Sequence, residues 1–151
     1  MTNSLSSAQS TQDWMAKWCP EPKEKNLRTQ FGVHLEEFAE TLEQISSPNP
    51  QDQMLLGYLT QAIKQAGEHF KKSDGVLIIK DRIEFLDGLC DTMVTSIGLG
   101  HMARMDVAGG FAEVNRSNWS KFDENGNPVL DENLKLVKGS NYSKPELKTF
   151  I

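Results

Sequence analysis

Glu84, Asp87 and Asp91 recur at intervals of three and four residues in "EFLDGLCD", so any helix holding them carries three carboxylates on one face. Gly88, Thr95 and Gly98 share that face, and Phe85, Leu86, Leu89, Cys90, Met93 and Ile97 occupy the opposite side. Like charges at this spacing repel by roughly 0.2–0.5 kcal/mol per exposed pair. Aspartate and glycine are also poor helix formers, so stability alone does not select such a stripe. A cation between the carboxylates removes the repulsion, and glycine lets a ligand approach the backbone. Glu36, Glu37, Glu40 and Glu43 form a second acidic edge beside an apolar arc of Phe31, Leu35, Phe38, Ala39, Leu42 and Ile45, which is expected to be buried. Taken alone, this second edge reads first as a solvated helix face, since glutamate is a good helix former and common on helix surfaces.

Carboxylates without histidine or cysteine suit hard, oxygen-seeking ions, Mg²⁺ first with Mn²⁺ as a substitute, and disfavour zinc. A di-iron bundle needs Glu-x-x-His motifs, and none of His34, His69 and His101 stands three residues after a glutamate. His34, one turn from the glutamates, reads as a residue supporting them from behind or as a packing residue.

A third group lies in "EVNRSNWSKF", residues 113–122, where Asn115, Asn118 and Lys121 make a polar stripe at three-residue spacing. Amides and an ammonium there are poor core material, so either an anionic group or water lies against them. Trp119 beside them reads as packing at a helix or subunit contact rather than as a platform for a base.

These residues need helices to position them, and helical periodicity runs from about residue 8 to 123. The pattern predicts an all-α protein of about five helices: "SAQSTQDWMAKWC"; roughly 25–46; a third capped by Asn49 or Asp52; about 77–104; and a fifth capped by Asp106. Pro20 and Pro22 end the first, "SSPNP" the second, and Gly75 separates the third from the fourth. After Asp123 the helical signal ends, and "PVL" and "LKLV", set off by Asn125-Gly126 and Gly139, suggest a short hairpin in an irregular tail.

The chain of 151 residues suits one domain, spanning 1–151, with an N-terminal helix and linker (1–24), a helical body (25–123) and a tail (124–151). No apolar run approaches the ~20 residues that cross a bilayer, and the first residues carry no basic start or apolar stretch, so a cytoplasmic protein without membrane partners is expected. Cys19 and Cys90 read as reduced thiols, which makes the N-x-S triplets at Asn115, Asn118 and Asn141 chance occurrences. A net charge of -5 argues against general nucleic-acid binding, which needs a basic face.

In that order, "EEFAE" (Glu36–Glu40), "EFLDGLCD" (Glu84–Asp91), "EVNRSNWSKF" and "KGSNYSKPEL" resemble the all-α nucleoside triphosphate pyrophosphohydrolases of the MazG-like and phosphoribosyl-ATP pyrophosphohydrolase-like branch, over residues about 25–147. The resemblance implies a four-helix core that dimerises or tetramerises, binds Mg²⁺, and cuts a nucleoside triphosphate between its α- and β-phosphates. It places metal-binding positions at Glu37, Glu40, Glu84 and Asp87, with Asp91 the alternative aspartate, and matches Glu36 to an additional acid. Glu36 or Glu37 would orient the attacking water. Asn115, Asn118 and Lys121 would meet sugar or phosphate, and Lys138, Asn141 and Tyr142 would close over the site. House-cleaning or control of the nucleotide pool is the expected role. Phosphoribosyl-ATP hydrolysis is the rival within the class, and a non-catalytic nucleotide or metal sensor the rival outside it. Both acidic motifs are complete, which favours catalysis, and the base preference stays open.

Overall fold

Among the residues described by the computed structural model, 6–130 and 136–151, five α-helices follow one another and no strand forms. They are α1 (Ser7–Trp18), α2 (Glu24–Leu42), α3 (Pro50–Lys72), α4 (Arg82–Met102) and α5 (Val107–Trp119), followed by a short 3₁₀ helix at Leu147–Phe150. The all-α class expected from the periodicity is what forms, and none of these helices is long and apolar enough to cross a membrane.

Side chains that satisfy first-turn amides set most of the helix starts. Ser6 accepts from Gln9 N, Asn49 from Gln51 N and Asp52 N with Pro50 behind it, Asp81 from Ile83 N and Glu84 N, and Asp106 from Gly109 N. Two expected boundaries shift. Helix α4 begins at Arg82 rather than near 77, because Asp81 caps it and the β-branched "VLII" before it stays outside the helix. Helix α2 ends at Leu42 rather than 46: Gln44 N bonds to Thr41 O and Ile45 N to Leu42 O, three-residue spacings that tighten the last turn ahead of Pro48.

The chain forms two compact units, Pro22–Ile79 and the segments before Pro22 and from Lys80 onward. The first is the α2–α3 pair. Its helices meet at Gly32 and Gly67, where a β-carbon on Gly32 would stand 2.8 Å from Gly67 O, so only glycine permits this approach. Ala39 and Leu42 are buried in the pair, and Phe31 meets Phe70 edge to face at 5.0 Å. The apolar arc expected to be core is only partly so. Phe38 and Ile45 are exposed, because α3 covers the Gly32, Ala39 and Leu42 side of α2 and leaves the far edge of the arc open.

In the second unit α1 lies along α5, and the close of the chain returns to α5, with Asp106 N bonded to Phe150 O at 2.8 Å. Trp14 is the centre of this packing: it stacks on Phe122 at 6.2 Å and 15°, meets Trp18 edge-on, and donates to Asn118 O at 3.0 Å. The expected tail hairpin reduces to isolated bridges at Phe122–Pro128 and Leu130–Leu136, with Val137 N bonded to Val129 O at 2.9 Å. Residues 134 and 135 of "LKLV" lie outside the described residues.

Candidate functional site

The acidic edge of α2 does not simply face water. Glu36 and Glu43 pair with Lys71 and Lys64 of α3, and Glu68 of α3 pairs with Lys71 and Lys72. Lys71 Nζ stands 2.6 Å from Glu36 Oε1 and 2.5 Å from Glu68 Oε1, and Lys64 Nζ stands 2.5 Å from Glu43. Glu36, Glu40, Lys64 and Glu68 border a cavity of about 250 Å³. Hydrogen bonds from Lys71 and then Lys72 hold the Glu68 carboxyl down at about 2, and Glu36 followed by Glu68 raises the Lys71 ammonium. Glu37 is exposed beside this network and its main-chain oxygen accepts from Thr41 Oγ1 at 3.0 Å. The sequence marks Lys71 and Lys72 as suiting the end of α3 but not the pairing of Lys64 and Lys71 with the acids of α2, although Lys64, Glu68, Lys71 and Lys72 follow the i, i+4 and i, i+3 pattern of a charged helix edge.

Helix α4 offers both its faces. No residue in it is buried, and Glu84, Asp87 and Asp91 are exposed with no ion pair among the described residues. A side chain at Gly88 would meet nothing within 4 Å, so the backbone between Asp87 and Asp91 is open to a ligand. Its apolar side is open as well, with Phe85, Leu86, Leu89, Met93 and Ile97 all exposed. The acids of α2 belong to one unit and those of α4 to the other. Among the described residues no group of three or more His, Cys, Asp or Glu is arranged to hold a metal ion. The donor chemistry itself fits a hard divalent ion, since every candidate atom is a carboxylate oxygen.

The stripe on α5 forms the seam with α1. Asn115 is 6% exposed, accepts from Ser10 Oγ at 2.8 Å, and donates to Thr11 Oγ1 at 2.5 Å and Ser7 O at 3.3 Å. Its amide therefore holds two helices together. Trp119 donates to the same Ser10 hydroxyl at 2.9 Å, which places it at a helix contact as its surroundings in the sequence suggest. Lys121 Nζ donates to Asn118 Oδ1 at 2.8 Å and lies 5.5 Å from the Trp14 ring centre.

The tail returns to this end of α5. A β-carbon at Gly139 would stand 3.0 Å from Lys121 O, Ser143 N donates to Ser120 Oγ at 2.9 Å, and Ser117 Oγ donates to Ser143 O at 2.8 Å. Lys138 Nζ lies 4.7 Å from the Tyr142 ring centre, Tyr142 N closes a turn on Gly139 O, and Asn141 is exposed within that turn. The structure thus brings Asn118, Lys121 and the Lys138–Tyr142 turn to one region.

Arg116 fastens the tail. It grips Glu113 through Nε at 2.8 Å and Nη2 at 2.7 Å, and reaches Ser143 Oγ and Lys144 O, while Glu146 N donates to Glu113 Oε1 at 2.9 Å. Arg116 first, and the Glu146 amide second, hold the Glu113 carboxyl at about 2, below its usual 4.5. A carboxyl lowered in this way contributes stability that is complete above its ordinary value and is lost as pH falls through the folded one. Amide exchange at 143–146 is therefore expected to accelerate as pH falls from about 4.5 toward about 2, after correction for intrinsic exchange rates. Glu113→Gln should give the fast exchange already at neutral pH. Equal protection in both proteins would show that Glu113 does not hold the tail.

Comparison with protein-family models, with curated proteins and with solved structures finds no match to this chain.

Proposed function

We propose that this protein hydrolyses nucleoside triphosphates at the α–β phosphate bond in a Mg²⁺-dependent reaction, releasing a nucleoside monophosphate and pyrophosphate for house-cleaning or control of the nucleotide pool. The observation that carries the reading is the α4 stripe. Three carboxylates without ion-pair partners share one exposed helix face with an open glycine, an arrangement that costs stability unless a cation is bound. The motif resemblance supports the same reading.

In this reading Glu84, Asp87 and Asp91 would be ion ligands on α4, and Glu37 and Glu40 ion ligands on α2. When bound, Mg²⁺ supplies charge neutralisation for the phosphate oxygens. Glu36 or Glu37 orients the attacking water, and Lys71 fixes one oxygen of Glu36. Lys121 meets a phosphate oxygen, Asn118 bonds the sugar, and Asn115 keeps α1 and α5 aligned beneath them. The Lys138–Tyr142 turn covers the same end of α5. Magnesium-dependent release of pyrophosphate from a nucleotide panel tests the assignment.

A homodimer or homotetramer belongs to this reading. An apolar helix side as open as that of α4 is unusual in a monomer, and a second copy would cover it. Light scattering of the full chain should give at least twice the mass of one chain, and Leu86→Glu should lower it. A monomeric mass for the unaltered protein would remove this part of the reading.

A further inference from the structure

Arg28 is 8% exposed, yet no carboxylate pairs with it among the described residues. Its Nε donates to Ser73 O at 3.0 Å and its Nη2 to Ser73 Oγ at 2.6 Å. His69 Nε2 stands 3.4 Å from Nη2, and the Phe70 ring lies 4.9 Å from the guanidinium carbon. Among the described residues Arg28 has no ion pair, and its Nη1 edge has no acceptor. A buried guanidinium that no carboxylate pairs with directly is costly. This one borders a cavity of about 190 Å³ formed by Glu24, Lys25 and Arg28 of α2 and by the loop 73–76.

Two further features point the same way. Helix α2 starts without a side-chain cap: Lys23 at the N-cap has no acceptor to offer, and Asn26 Oδ1 accepts only from Lys23 N, at 2.8 Å. The Glu24 and Lys25 amides are therefore left to an outside acceptor. Opposite them, Gly75 at φ +131° keeps the loop wall free of a side chain, and a β-carbon there would press to 3.4 Å from Arg28 Nη1.

We propose that this cavity binds an oxyanion of the phosphate class, held by the Nη1 edge of Arg28, the Lys25 ammonium and the first amides of α2. The size fits: ligand pockets for whole small molecules start at about 300 Å³, so this cavity takes one oxyanion group and leaves any remainder outside. Glu24 and Asp74 border the cavity too, and their charge opposes an anion, so binding depends on the guanidinium, ammonium and amide donors outweighing them. The site lies wholly within Pro22–Ile79 and involves none of the residues assigned to hydrolysis.

The test uses thermal melts of the full chain in chelator, with inorganic phosphate replacing chloride at constant ionic strength and pH. Phosphate should raise the melting temperature saturably. Lys25→Glu, on an exposed residue, should weaken phosphate binding by about tenfold or more, Arg28→Lys should weaken it while keeping the charge, and Glu24→Gln should strengthen it. Asp87→Asn should leave the response intact, which separates this site from the hydrolytic one. Parallel titrations with a nucleoside monophosphate identify the source of the group: tighter binding than phosphate indicates a phosphorylated effector, and equal binding free phosphate. Identical melts in phosphate and chloride would overturn the proposal, as would an undiminished response in Lys25→Glu. So would a Glu24→Gln protein that is destabilised and indifferent to phosphate, because Glu24 would then be the counter-ion of Arg28.

Discussion

Asp87→Asn is expected to lower kcat/KM by roughly 10²–10³-fold, the loss typical when one group stabilising transition-state charge is removed. The substitution is nearly isosteric, so the loss reports the charge and the donor oxygens rather than shape. Asp87 is exposed on α4 between Glu84 and Asp91, and no ion pair holds it among the described residues. Removing its charge relieves two like-charge contacts of a few tenths of a kcal/mol each, about 0.2–0.5. The metal-free protein should therefore melt at the same temperature as the unaltered chain or slightly above it. Kinetics with Mg²⁺ and melts in chelator measure the two halves separately. Unchanged kcat/KM would remove Asp87 from the site, and a clear drop in melting temperature would give it a structural partner instead.

Trp14→Ala is expected to cost about 3–5 kcal/mol, the range for truncating a buried large aromatic residue. Trp14 is 9% exposed, stacks on Phe122, which is 2% exposed, and satisfies the Asn118 carbonyl. Its removal opens the α1–α5 seam and leaves that carbonyl without its donor. Trp14→Phe retains an aromatic ring against Phe122 and loses only the hydrogen bond, so it should cost closer to about 1 kcal/mol. Urea unfolding followed by circular dichroism compares the two. The alanine variant should also lose turnover, since Asn118 and Lys121 are positioned by this seam. A cost below about 1 kcal/mol for Trp14→Ala would mean that α1 is not part of the unit's core.

Much of the fold was legible because helix caps and periodicity are local properties. Asn49 and Asp106 announce α3 and α5 in the sequence, and they cap those helices in the structure. The start of α4 was harder, since "VLII" continues its apolar pattern backward and only the Asp81-x-x-Glu84 spacing marks the boundary. The last turn of the chain, Leu147–Phe150, has no local signal and forms against α5.

The candidate site was legible in its residue types and less so in their partners. A buried asparagine bonded to another helix and one waiting for a ligand look alike in sequence. Ser7, Ser10 and Thr11, three hydroxyl-bearing residues on one face of α1, were the available hint that Asn115 is already satisfied. Likewise, the acids of α2 read as unpaired until α3 brings Lys64 and Lys71 alongside.

The most direct test follows the phosphorus atoms. The full chain is incubated with Mg²⁺ and each of a panel of ribo- and deoxynucleoside triphosphates, and the products are read by phosphorus NMR. The expected result is a nucleoside monophosphate and pyrophosphate in equal amounts for at least one nucleotide, with turnover lost in chelator and restored by Mg²⁺ or Mn²⁺. A nucleoside diphosphate with orthophosphate as the first products, or no metal-dependent turnover of any nucleotide, would contradict the account.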